Sequence, residues 1–160
     1  FHRRAAAVAR LADGTERVEL DTPLGEVLQP EQVRQISWMA LSAQGNDRIM
    51  PVDTKLFAKA VDRVATISAE KSRSVRMAIE PGRIILTVRN MEAGQAVEEL
   101  EVDYAGEAFE LSFNARYLLD VTDQIAGETA EFRFGGPNDP ALVLDPVDAD
   151  VQYVLMPLRV

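Results

Sequence analysis

Two stretches of this chain, about 60 positions apart, share one design, and such a repeat restricts the fold more than any other feature. In FELSFNARYLLDVTDQI, Phe109, Leu111 and Phe113 alternate with Glu110 and Ser112, the period of a half-buried strand. Asn114 then stands where a helix N-cap belongs, its side-chain oxygen placed to accept an amide of the first turn. Tyr117, Leu118, Val121 and Ile125 follow as an apolar stripe, with Arg116, Asp120, Thr122 and Asp123 on the other face. Upstream, Ile49, Met50 and Val52 predict a strand that ends at Asp53-Thr54, and a helix over 55–67 follows. Its apolar stripe is Leu56, Phe57, Ala60, Val61, Val64 and Ile67.

Each of these units is followed by three strand candidates. SVRMAIEPG, RIILTVRN and QAVEELEVDY follow the first; TAEFRFGG, PALVLDP and VQYVLMPLRV follow the second, with Pro81-Gly82, Gly135-Gly136-Pro137 and Asp145-Pro146 as breaks. Asp53 thus corresponds to Asn114, and Val61 falls near Val121. The pattern predicts an α+β domain of two βαβββ halves about a pseudo-twofold axis, with paired sheets and both helices on one side.

The remainder is less patterned. Residues 1–22 read as a short helix from Ala5 to Leu11, a turn at Asp13-Gly14 and a strand around Arg17 to Leu20. Residues 23–50 offer only a helix from Glu31 to Leu41, in which Val33, Ile36, Met39 and Ala40 share a face; Trp38 reads as a packing residue.

Composition excludes much chemistry. A chain of 160 residues that is 47% hydrophobic can bury a real core, yet it has no cysteine and a single histidine, at position 2. Disulfides, thiolate zinc sites, cysteine nucleophiles and histidine triads are thereby removed. No apolar run approaches the roughly 18 residues of a membrane span. Asp120 with Asp123, or Glu98 with Glu99, could be written as an acid-base pair, but these carboxylates lie on a polar helix face and an alternating strand. Gly135-Gly136 lacks a following lysine, and Asp145, Asp148 and Asp150 lack the glycine and glutamate of a calcium loop. The residues predict no catalytic constellation, metal or cofactor.

The net charge of -9 opposes general nucleic-acid binding, although Lys55, Lys59, Arg63, Lys71, Arg73 and Arg76 are clustered. The segment from Glu92 to Glu110 holds seven acidic residues and no basic one. At the C-terminus Tyr153, Val154, Leu155, Met156 and Leu158 crowd together, and Pro157 confines the strand to an edge or ends it. On the residues alone, this run is either core or an edge that receives a hydrophobic peptide beside Tyr117.

The stretches AVDRVATISAEKSRSVRMAI, EELEVDYAGE, FELSFNARYLLDVTDQI and YVLMPLRV, in that order, resemble the bacterial DNA polymerase III beta subunit family, the sliding clamps. The resemblance covers about 48–160 and implies a processivity fold of duplicated βαβββ units with no active site. The two helices of such a domain line a hole that encircles double-stranded DNA. It divides the chain into 1–45, a truncated or degraded remnant of the clamp middle domain, and 46–160, the C-terminal domain. It implies a cytoplasmic replication protein that docks DNA polymerase III and other partners through linear peptides, and that is a homodimer in the family.

Residue by residue, the family's peptide pocket maps to Ser72, Asn114, Tyr117, Val154, Leu155, Met156, Pro157, Leu158 and Arg159. Leu158 stands where the family usually has methionine, a change that conserves volume. Lys55, Lys59 and Arg63 map to the DNA-facing side; Thr66, Ile67, Glu98 and Glu99 map to the side that meets a partner subunit. A full clamp has three such domains per chain and this sequence has one, so ring closure is expected to fail. The family's FPDY-like pocket segment is missing, so peptide binding is expected to be weakened. SWMALS resembles what a family segment like LMDGTF would encode in a shifted frame, which marks about 24–44 as out of frame. The alternative from another class is a module that sequesters clamp partners without encircling DNA.

Overall fold

The computed structural model describes residues 7–12, 15–20, 45–68 and 74–158. The repeat is realised strand for strand. The first half runs β3 (Arg48–Asp53), α1 (Thr54–Ala65), β4 (Ser74–Glu80), β5 (Arg83–Asn90) and β6 (Gly94–Glu101). The second runs β7 (Phe109–Asn114), α2 (Ala115–Gln124), β8 (Thr129–Phe134), β9 (Ala141–Asp145) and β10 (Asp148–Leu155). Both helices start as the strand-to-cap pattern dictates. Asp53 accepts a hydrogen bond from Leu56 N at 2.9 Å, and Asn114 Oδ1 accepts one from Arg116 N at 2.9 Å. Each cap satisfies an amide that the first turn leaves without an intrahelical partner.

The halves exchange their first strands. One antiparallel sheet has the order β6-β5-β4-β7, so the first strand of the second half completes the sheet of the first. The other contains β10-β9-β8-β3, so the reverse also holds. The exchanged strands pair in continuous register, with Val75 opposite Phe113 and Met50 opposite Phe132. The helices pack on each other, α1 also against β5 and β6. A single core draws Val75, Met77, Ile84 and Leu86 from one sheet, Met50, Phe132 and Phe134 from the other, and Phe57, Val61, Leu118 and Val121 from the helices. The helical burial repeats with the fold: Thr54, Phe57, Ala60, Val61 and Val64 in α1 correspond to Ala115, Leu118, Val121, Thr122 and Ile125.

Three expectations need correction. Residues Ala7–Ala12 form strand β1, not a helix, and pair antiparallel with β10 on one side and with β2 (Thr15–Leu20) on the other. Alanine is the best intrinsic helix former, but propensity yields to tertiary context, and the edge of β10 supplies backbone partners that override the preference. Leu56, placed in the apolar stripe, is 56% exposed, and Thr122, placed on the polar face, is buried with its hydroxyl bonded to Leu119 O. The buried face is displaced from the stripe read in the sequence, because each helix is covered by the sheets and by the other helix. The helix expected at 31–41, Trp38 and the segment 24–44 lie outside the described residues.

Two connecting segments are fixed by buried polar groups. Between β6 and β7, Tyr104 is buried and donates its hydroxyl to Glu107 O at 2.8 Å, while its carbonyl accepts from Gly82 N at 2.9 Å. After α2, buried Asp145 accepts from Ala126 N and Val147 N, joining the helix exit to the β9-β10 turn.

Candidate functional site

The last residues leave β10 and cross to the other sheet. Leu158 N donates to Ser112 O at 2.7 Å, an isolated antiparallel bridge that lays the C-terminal segment along β7. Two residues after Ser112, Asn114 caps α2 and faces Ser74 across β4. Tyr117, one turn further, is half-buried against the core. Along the segment, Pro157 is buried, Met156 is half-buried and Leu158 is 39% exposed. The bridge therefore places Met156, Pro157 and Leu158 at the end of β7 that leads through Asn114 into α2. Ser72 and Arg159 lie outside the described residues.

The two neighbouring residues of β10 divide by strand alternation. Leu155 points into the core and is fully buried. Val154 points the other way; opposite it stands Leu142, and both are buried yet separate from the core cluster. Leu142 was not singled out from the sequence, although the unbroken apolar run PALVLDP carries the signal of a strand covered on both faces.

On α1, Lys55, Lys59 and Arg63 are exposed at intervals of one turn, with Asp62 beside them. Arg63 does not stand free. Its Nε lies 2.6 Å from Glu98 Oε1 and its Nη2 3.3 Å from Oε2, a forked pair between the helix and edge strand β6. The guanidinium holds the Glu98 carboxyl below the usual carboxylate range, chiefly through the hydrogen bond. Residues assigned from sequence to two different surfaces thus touch each other. Glu99, also on β6, is 3.5 Å from Arg83. Thr66 is exposed and bonds back to Arg63 O at 2.7 Å, while Ile67 is half-buried and its carbonyl accepts from Asn90 Nδ2 at 2.5 Å.

Among the described residues no group of three His, Cys, Asp or Glu side chains could hold a metal, and no helix is long and apolar enough to cross a membrane. Two βαβββ halves with exchanged first strands, paired helices and a C-terminal segment bridged to β7 define an α+β domain of the DNA-clamp type. The chain belongs to the family of the DNA polymerase III beta subunit, C-terminal domain, whose model matches residues 41–159. It is 71% identical over 123 residues to the beta sliding clamp of Caulobacter vibrioides, covering 77% of this chain and 33% of that protein. The crystal structure of the C. crescentus beta sliding clamp superposes with a TM-score of 0.74 at 65% identity, over 84% of this chain and 35% of that one. A Bartonella birtlesii sliding clamp, solved bound to griselimycin, gives a TM-score of 0.74 at 35% identity, covering 91% of this chain and 36% of that one. The chain spans about a third of the length of the curated relatives it matches.

Proposed function

We propose that this chain is the peptide-docking module of a sliding clamp, the replication processivity factor that tethers DNA polymerase III and other clamp-binding proteins to DNA in the bacterial cytoplasm. The module has no catalytic role of its own. The observation that carries this reading is the Leu158 N to Ser112 O hydrogen bond, which sets the apolar chain end beside the strand that presents Asn114 and, one turn on, Tyr117. An extended hydrophobic peptide would lie against Tyr117, Met156, Pro157 and Leu158, with Val154 beneath it and Ser72, Leu155 and Arg159 completing the family's set. Residues 46–160 form the C-terminal clamp domain and 1–45 belong to the middle one, with the β1-β2 hairpin extending the sheet at β10.

In a ring, Lys55 and Lys59, with Arg63 beside them, would face DNA and contact phosphates without reading sequence. Thr66, Ile67, Glu98 and Glu99 would meet a second clamp chain along the open edge of β6. Titrating a fluorescent clamp-binding peptide against the native chain and Tyr117→Ala tests the docking site. Loss of affinity by about tenfold or more is expected for an aromatic anchor, and equal affinity would sink the reading. A second reading, a module that sequesters clamp partners without encircling DNA, is favoured by the net charge of -9. Its mark is peptide binding with no salt-dependent DNA binding.

A further inference from the structure

Arg63 continues the line of Lys55 and Lys59 along α1, yet its guanidinium is already bound within its own fold. Its two hydrogen bonds to Glu98, at 2.6 and 3.3 Å, form a fork, the geometry that restricts orientation as well as distance. A second tie lies one turn beyond. Asn90 donates to Ile67 O, and its Oδ1 accepts from Glu92 N at 2.8 Å and Ala93 N at 3.1 Å, holding the turn that returns the chain through Gly94, at φ +100, into β6. Thr66 closes the helix end by bonding Arg63 O from both its amide and its hydroxyl. The last turn of α1 and residues 66–68 are therefore fastened to the β5-β6 hairpin at two points. β6 needs such fastening: it is a sheet edge with no fully buried residue, so packing alone holds it weakly.

We infer that Arg63 is a positioning residue, which sets the placement of edge strand β6 and residues 66–68 through Glu98, and is not a phosphate ligand. The inference rests on the reading of that edge as the side that meets a second clamp chain, and it moves Arg63 from the DNA face to the edge. An exposed pair adds little to global stability, so the effect is local.

Hydrogen exchange on the full chain tests it. Arg63→Ala and Glu98→Gln each raise exchange in peptides covering 66–68 and 94–101 by about two- to fivefold, as an exposed pair should, and leave β8 and β9 unchanged. The charge-swapped double variant Arg63→Glu, Glu98→Arg restores protection. Unchanged exchange in both single variants overturns the inference. Duplex DNA binding against salt is an independent measurement: Lys55→Ala lowers the log-log slope by about 0.9, the value of one phosphate contact, and Arg63→Ala does not. An equal loss in Arg63→Ala makes it a phosphate ligand and overturns the inference. Finally, native mass spectrometry follows association with the intact Caulobacter clamp, which Arg63→Ala weakens by about two- to fivefold. No association by the native chain refutes the edge reading alone, and the exchange data still decide what Arg63 does.

Discussion

The guanidinium carbon of Arg48 sits 4.8 Å from the centroid of the Phe109 ring, and the two residues hold the same place in the two halves: each opens the first strand of its half. Equivalent residues touch each other only where the axis relating them passes between them. The contact therefore marks the pseudo-twofold axis, and Phe109 extends it inward, 5.3 Å from Phe134 and 6.2 Å from Tyr104.

Phe109→Ala should destabilise the chain by about 2–4 kcal/mol, since it removes a ring packed on two others. Arg48→Ala should cost about 0.5–1 kcal/mol, the worth of a half-buried cation over a ring. A double-mutant cycle by urea unfolding should return a coupling of about 0.5–1 kcal/mol. Strict additivity would mean that the two residues meet at the axis without stabilising it.

The caps are equivalent and should respond alike. Asp53→Ala and Asn114→Ala each leave an amide of the first turn without its partner, at a cost of about 1 kcal/mol. The urea midpoint should fall at constant slope, whereas a changed slope would point to loss of compactness instead.

Gly106 is held by proximity. A Cβ there would lie 2.4 Å from the Tyr104 hydroxyl oxygen and 2.7 Å from its ring carbon. Gly106→Ala should cost about 1–3 kcal/mol, as overpacking does. Tyr104→Phe in the same chain should recover part of that loss, because it removes the nearer of the two atoms. Thermal unfolding of the three variants makes the comparison.

Leu158→Pro removes the amide that bonds Ser112 O and preserves much of the apolar bulk. Stability should fall by about 1 kcal/mol, the net worth of a hydrogen bond, while affinity for a clamp-binding peptide should fall further than in Leu158→Met. Equal affinities for the two variants would detach the chain end from docking.

Acid reports the Arg63–Glu98 pair. The folded carboxyl titrates below its unfolded value, so its stabilising contribution is complete above about pH 4.3, the ordinary glutamate value, and is lost as pH falls through the lowered folded pKa. The stability difference between the native chain and Glu98→Gln should be constant near neutrality and vanish in acid.

What was legible in the sequence was local. The alternation of Phe109, Leu111 and Phe113, the cap at Asn114 and the stripe through Leu118 and Val121 each depend on neighbours a few positions away. The exchange of β3 and β7 was not legible, because the pairing of Arg48 with Phe134 joins residues far apart and leaves no mark on either. Ala7–Ala12 misled for a related reason: its own preference is helical, and the neighbour that overrules it is β10, at the opposite end of the chain. At the candidate site, motif resemblance placed Asn114, Tyr117 and the terminal run in one region. It gave no hint of the bridge between Leu158 and Ser112, nor that Glu98 holds Arg63, since both arise from the tertiary arrangement.

Because each sheet is closed by a strand from the other half, neither half is a foldable unit by itself. Cut within 102–108, the chain would yield one fragment whose β3 lacks its neighbour β8 and another whose β7 lacks its neighbour β4. Each would carry the strand the other needs, and mixing the two would rebuild the domain as a complementing pair. A solitary ancestral copy of the unit would have had to find a twin before it could fold, so the peptide link between β6 and β7 turns an encounter between molecules into an intramolecular step.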